Sequence, residues 1–302
     1  MTLQQLLKSN QPQVQKLQDT NSFELPRSMN EFIKQLKSIN FVEEQISNDR
    51  YYISAFNKLF SSVRKICAYS EHYLGDLDGN VYNFSGEVFL AGQNHNRVIK
   101  IVEWQGLCYV LRADQQIVLL NSDISFTFRL VSSPITDFLV ISDYFVLAHR
   151  SFSIYLKCDH IFTYPIDSLL SGLYLFKNHF CISTMNCQLF VFDFDFNLKT
   201  RRDFISQIVS MRFHLQYLFV SAETLFKIDV QSWKGKIIPV LPFQSGRIFV
   251  KNGIIVNGVQ RVVGFGEGDK IVLFQELGMK GIYTGNVFVS GKDVYGVETE
   301  IV

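Results

Sequence analysis

The stretch "LGDLDGNVYNFSGE", Leu74–Glu87, admits two readings. Counted from Asp76, side-chain oxygens fall at the first, third, fifth and twelfth places: Asp76, Asp78, Asn80 and Glu87. Those are positions at which an EF-hand loop supplies calcium ligands. The same residues also spell a β-hairpin, because Asp78-Gly79 is a strong two-residue turn signal and "VYNF" continues as an alternating strand. Glycine decides between them. An EF-hand needs glycine at the sixth place, where Val81 stands, whereas here it occupies the fourth as Gly79. No helical pattern flanks the stretch on either side. It reads as a hairpin.

Six further stretches repeat its form. "YLGDLDGNVYNF" from Tyr73 aligns with "YVLRADQQIVLL" from Tyr109, "FVLAHRSFSIYL" from Phe145 and "FCISTMNCQLFVF" from Phe180. The series continues with "LFVSAETLFKIDV" from Leu218, "IIVNGVQRVVGF" from Ile254 and "VFVSGKDVYGVE" from Val287. Each is an apolar strand, a small polar turn and another apolar strand, and the starts are 36, 36, 35, 38, 36 and 33 residues apart. Another apolar run precedes each copy, as in "RKICAY", "VIKIVEW" and "ITDFLVI", and a fourth follows most of them, as in "GEVFLA", "HIFTYP" and "KIVLFQE". Four short strands recurring at near-constant spacing are the signature of propeller blades. The seventh copy lacks its fourth run, and "YYISAF", Tyr51–Phe56, precedes the first with no other assignment. Counting therefore predicts that Tyr51–Phe56 closes the last blade.

Composition supports an all-β body. The chain has 302 residues, 47% apolar and 19% charged, with 28 phenylalanines that suit half-buried pleated surfaces. A net charge of +1 gives no global field toward nucleic acid or anionic membrane. No apolar run reaches the 18 or so residues that span a bilayer, so no membrane insertion is expected. The start, "MTLQQLLKSNQPQVQ", lacks the features of a signal peptide. Five scattered cysteines fit reduced thiols better than a disulfide framework. The expected location is cytoplasmic, nuclear or both.

Before residue 50 the chain differs in character, and residues 1–48 read as a helical or extended N-terminal arm leading into a propeller at 49–302. Ser28 and Glu31 have capping-box spacing. Met29, Phe32, Ile33 and Leu36 then form one apolar stripe, too short to stand alone in water. The stripe is expected to dock, on the chain's own body or on a partner.

Residues 51–302 resemble a seven-bladed β-propeller of the WD40-like kind, with "GDLDGNVYNF" similar to the strand–turn–strand centre of many such blades. No Gly-His pair or Trp-Asp dipeptide accompanies the repeats, and their spacing is short against the roughly 40–45 residues usual there. Six or eight blades therefore stay open. The resemblance implies binding through blade rims and the top face, with other protein subunits as partners. It also implies a monomer within a hetero-complex.

Chemical motifs are sparse. Six histidines are scattered without metal-ligand spacing, and no metal or cofactor is expected. Gly264, Gly266 and Gly268 precede a β-like run and not a helix, so they serve a turn and not a phosphate cradle. Asp193 and Asp195 fall two apart, a spacing that could couple two carboxylates, but a strand-to-turn site points such groups at solvent. No serine-nucleophile elbow occurs, and the protein is not read as an enzyme. Charge is more informative. Between Lys199 and Lys251 nine basic residues face three acids, a net +6 that leaves −5 for the rest of the chain. Lys199, Arg201, Arg202, Lys234 and Lys236 are the candidate basic sector, for an acidic partner or RNA. Trp233 is a candidate interface anchor. A protein-interaction scaffold is the leading expectation, with an RNA-binding propeller second and a ligand-binding or enzymatic one third.

Overall fold

The computed structural model describes residues 47–301, apart from 93–95, 129–132, 157, 165, 167, 177, 223–224, 239–245, 251–252, 258–260, 267–268 and 278–279. Met29, Phe32, Ile33 and Leu36 lie outside the described residues. β1 spans Tyr51–Ser61. The first sheet holds β2 (Ile66–Tyr69), β3 (Tyr73–Asp76), β4 (Val81–Asn83) and β5 (Val88–Leu90). The second holds β6 (Val98–Trp104), β7 (Leu107–Arg112), β8 (Ile117–Leu119) and β9 (Ser125–Phe126). In the third are β10 (Asp137–Ile141), β11 (Tyr144–Ala148), β12 (Phe152–Leu156) and β13 (Asp159–Tyr164). In the fourth are β14 (Leu170–Phe176), β15 (His179–Thr184), β16 (Gln188–Asp193) and β17 (Leu198–Asp203). The fifth comprises β18 (Ser210–His214), β19 (Tyr217–Ser221), β20 (Leu225–Asp229) and β21 (Gly235–Ile238). The sixth comprises β22 (Arg247–Val250), β23 (Ile254–Asn257), β24 (Arg261–Phe265) and β25 (Ile271–Glu276). The last three strands, β26 (Ile282–Tyr283), β27 (Val287–Ser290) and β28 (Asp293–Ile301), take β1 as their fourth, in the order β1-β28-β27-β26.

Seven four-stranded sheets built in sequence order are the blades of a seven-bladed β-propeller, and the blade count is seven. The start of every quoted repeat falls in the second strand of a blade: β3, β7, β11, β15, β19, β23 and β27. One outer strand is invisible to an apolar pattern. β17 reads "LKTRRD", and its side chains are exposed or half-buried, so nothing in its hydropathy marks a strand.

The chain divides into two compact units. One contains Lys58–Val209 and Val289–Tyr295, and the other is built on Ser210–Phe288 with residues 47–57 and the chain from Gly296. In the first, the phenylalanine excess finds its use between the third and fourth blades. Phe152, Phe180 and Phe192 are wholly buried. Phe152 stacks on Tyr164 with ring centroids 5.2 Å apart, and Phe180 stacks on Phe192 at 5.3 Å. Each such side chain contributes about 1.5–3 kcal/mol by leaving water, and each ring pair about 0.5–1.5 kcal/mol more. In the second unit, Tyr52 joins Ile248, Val263, Ile271 and Phe274 in one core. Gln275, fully buried, exchanges both of its amide hydrogen bonds with the Ile53 backbone at 2.7 and 2.8 Å. Ser47 N–H donates to the Ile271 carbonyl at 2.9 Å, so the chain enters this unit along β25.

The outer strands share a device. The register between third and fourth strands slips by one residue in the first, third, fourth and sixth blades, leaving Phe89, Ile161, Lys199 and Val272 as the extra residues. A bulge of this kind twists a strand and interrupts its ladder, which blunts the free edge.

Candidate functional site

The opening hairpin shows how the polar residues are used. Asp76, at the end of β3, is completely buried. Its carboxylate accepts from the backbone N–H groups of Asp78 and Asn80, from the Asn80 amide and from the Tyr82 hydroxyl, each at 2.9 Å. Burial, with Asp76 as hydrogen-bond acceptor, pushes the Tyr82 phenol up to about 12, so it stays a donor at working pH. Gly79 carries a φ of 93°, and a Cβ there would lie 2.4 Å from the Asn96 carbonyl oxygen. Glu87 belongs to the opposite end of the hairpin, beyond β4, where its N–H binds Asn83 Oδ1. The four would-be calcium ligands therefore never converge. Among the described residues no group of three or more His, Cys, Asp or Glu side chains is placed to hold a metal ion.

In an antiparallel blade, the turn between second and third strands shares one end with the start of the first strand and the end of the fourth. In the Lys58–Val209 unit these upper ends are aligned by bonds between neighbouring first strands. The Cys67 thiol donates to the Val98 carbonyl at 3.1 Å. Lys100 pairs with Asp137 at 2.7 Å, and Asp137 in turn accepts the Leu173 N–H at 2.8 Å. The upper turns are also tied one to the next. Asn80 Oδ1 accepts from Gly92 N–H at 2.7 Å, Gln115 accepts from Ile135 N–H, and Gln207 donates to the Met185 sulfur at 3.0 Å.

The two ends of this unit differ in charge. At the upper end Lys65, Arg97, Arg150 and Lys292 are exposed, and none forms an ion pair with a carboxylate among the described residues. Their backbones are fixed: the carbonyls of Lys65, Arg97 and Lys292 accept from Leu77, Ala113 and Ser62, and Arg150 N–H donates to Ser133 Oγ. Among the described residues the upper acids are all engaged, Asp76 as above, Asp78 with Arg64, Asp114 with Arg112, Asp137 with Lys100, Asp203 with Arg201 and Asp293 with Lys58. At the lower end the pattern inverts. Glu71, Asp123, Asp143, Asp159 and Asp195 are exposed and form no ion pair with a lysine or arginine among the described residues, while Lys199 is held by Asp193 at 2.7 Å. That bond, with the Asn197 N–H donating, holds the Asp193 carboxyl down at about 2.

Large aliphatic side chains stand among the upper cations. Val63 is 66% exposed, Leu169 56%, Met185 48% and Ile205 61%. Leu169 and Met185 are joined through their backbones, Met185 N–H to Leu169 carbonyl at 2.8 Å. Among the described residues no aromatic ring is among the exposed large side chains of the turns at this end.

The candidate basic sector falls in both units. Lys199, Arg201 and Arg202 lie on β17, and Lys234 and Lys236 lie at and in β21. Arg201 covers the Phe190 ring at 5.5 Å and sits 3.7 Å from Asp203. Burial lowers the Arg202 guanidinium. In the other unit Asp269 takes both Lys227 and Lys236 at 2.5 Å, and Lys227 also lies 4.0 Å over the Tyr217 ring. Asp269 lies outside the Lys199–Lys251 window, so the +6 count omitted a carboxylate that serves two of its lysines. Lys234 is exposed, and Trp233 is half-buried in the turn before β21 with a left-handed backbone, φ 55°. The turn after β24 is followed by strand β25, so Gly266 closes a hairpin, its N–H on the Lys270 carbonyl at 2.9 Å.

One His–Ser contact bears on nucleophile chemistry. His149 Nε2 lies 2.7 Å from Ser153 Oγ, and the contact continues through Thr163 Oγ1 to His160 Nε2, each step 2.8 Å. Ser151 N–H points at His149 Nδ1 at 3.4 Å, so Nδ1 accepts and Nε2 carries the proton. In that tautomer His149 donates to Ser153. Burial, and then nearby His160, lower the His149 imidazole and keep it neutral. The group braces the third blade.

The fold is similar to the WD40 domain of Neurospora crassa Pan2, with a TM-score of 0.61 and 10% identity over 83% of this chain and 97% of that one. It is also similar to the computationally designed Ika8 protein, with a TM-score of 0.53 and 12% identity over 79% and 98% of the two chains. No protein-family model and no curated protein sequence matches the chain. At these identities the likeness is one of fold. The chain has the seven-bladed β-propeller fold of WD40 domains, in a divergent sequence.

Proposed function

We propose that the protein is a non-catalytic interaction platform, a subunit of an intracellular multiprotein complex. The observation that carries this reading is the upper end of the Lys58–Val209 unit. Large aliphatic side chains stand in water there on turns whose backbones are pinned by hydrogen bonds. Exposed apolar groups on rigid supports mark docking surfaces, and WD40-type folds commonly bind proteins. The free state of Cys67, Cys108, Cys158, Cys181 and Cys187 supports an intracellular setting.

The test is a pull-down with mass spectrometry from the native cell, comparing the full chain with one lacking residues 1–46. A stoichiometric set of partners retained by both versions supports docking on the propeller. Partners lost on truncation move the docking site to the Met29–Leu36 stripe. If neither folded version recovers a protein, the platform reading falls. RNA binding through the basic sector is the second reading. Arg202, near the upper end of the Lys58–Val209 unit and without an ion pair among the described residues, is what favours it. Retention on RNA at low salt that is lost in an Arg202→Glu variant would support it.

A further inference from the structure

We infer that the upper end of the Lys58–Val209 unit receives an acidic, aliphatic segment of a partner protein, one in which carboxylates alternate with large apolar side chains. This rests on the platform reading and names the chemistry of the partner.

Charge complementarity carries it. Lys65, Arg97, Arg150 and Lys292 stand exposed on fixed backbones, while every described acid of that end is already bound to a cation or buried under donors. A surface whose described carboxylates are all engaged, and on which four cations form no ion pair, is short of anions. Bringing carboxylates to it adds attraction without displacing an internal pair. Val63, Leu169, Met185 and Ile205 require that the same ligand also bury apolar surface. Nucleic acid supplies the anions but gains little from aliphatic side chains. Single-stranded binding uses aromatic platforms, and among the described residues none of the exposed large side chains on these turns is aromatic. A protein segment satisfies both halves. The acidic lower end repels such a segment and makes the docking one-sided.

Zero-length carbodiimide cross-linking tests this, because the reagent joins a lysine ammonium to a carboxylate with no spacer. The full chain is cross-linked in native cell extract and the products are mapped by mass spectrometry. Lys65 and Lys292 should couple to Asp or Glu residues that have Leu, Ile, Val or Met within four positions. A Lys65→Glu, Arg150→Glu, Lys292→Glu variant should recover that partner at least tenfold less well, and Met185→Ser with Ile205→Ser should weaken it similarly. Asp123→Lys with Asp143→Lys should leave it unchanged. A fluorescein-labelled synthetic peptide of the coupled segment should bind the full chain at least tenfold more weakly when its acids become amides. Three results overturn the inference while leaving the chain a binding protein: coupling of partner lysines to Asp123 and Asp143, coupling of Lys65 to the lower acids of a second copy, or loss of the partner on ribonuclease treatment. Recovery of no partner by the unmodified chain overturns the inference and the platform reading together.

Discussion

The upper and lower ends of the Lys58–Val209 unit share their blades, yet several of their carboxylates are used in opposite ways. At the upper end Asp76 and Asp137 are buried and saturated with donors. At the lower end Asp123, Asp143 and Asp159 stand in water. An acid inside a network of N–H and ammonium donors holds strands together. An acid at a turn tip only charges the surface. Among the described residues the upper end has therefore engaged its negative charge in building the fold, while Lys65, Arg97, Arg150 and Lys292 form no ion pair.

Mutation can break that comparison. The largest effect is expected at Asp137, whose removal strands Lys100 and the Leu173 N–H between neighbouring blades. Asp137→Ala should cost about 3–5 kcal/mol, as removal of one partner of a buried pair does. Asp76→Ala, which frees five donors, should cost about 2–3 kcal/mol. Urea unfolding measures both, and a loss below about 1 kcal/mol in either would put the upper acids on a par with the lower.

Two histidines sharpen the comparison through pH. At the upper end burial, then His160, lower His149, so below about pH 6.5 the unfolded chain binds the extra proton and acid destabilises the fold. At the lower end the Glu103 hydrogen bond raises His72, so its contribution is complete below about pH 6.5 and fades as pH rises through its folded value. Thermal melts should show His149→Gln flattening the loss of Tm between pH 7.5 and 5.5. The flattening should be partial, since burial lowers His179 and His214 as well. His72→Gln should lower Tm at pH 5.5 and leave it unchanged at pH 9. The smallest effect belongs to the lower tips, where Asp143→Asn should shift stability by less than about 0.5 kcal/mol.

Much of the fold could be read from the chain because hairpin turns are local. Asp78-Gly79 requires only its own neighbours, and Gly79 has the positive φ such a turn needs. The repeats gave away the second strands for the same reason. β17 stayed hidden because its "LKTRRD" side chains bury too little to leave a hydropathy pattern. The charge division of the site was hidden for a different reason. Successive turns along an antiparallel sheet alternate between its ends, so any continuous window mixes them. The Lys199–Lys251 window did so, joining Lys199 at a lower turn to Arg202 near an upper one and omitting Asp269. Lys65, Arg97, Arg150 and Lys292 are spread over the whole sequence, and only the alignment of the blades brings them to one end.

The pairing of β1 with β28 sets a schedule for synthesis. Tyr52 and Glu300, bonded through hydroxyl and carboxylate at 2.5 Å, are 248 residues apart in the chain. At about 5–20 residues per second a ribosome needs roughly 12–50 s to cover that distance. Throughout that interval β1 has emerged without the strand it pairs with, while blades between them can already form. A nascent chain of this kind spends most of its synthesis with one apolar strand in search of a mate. It therefore depends on whatever shields that strand until the last blade arrives.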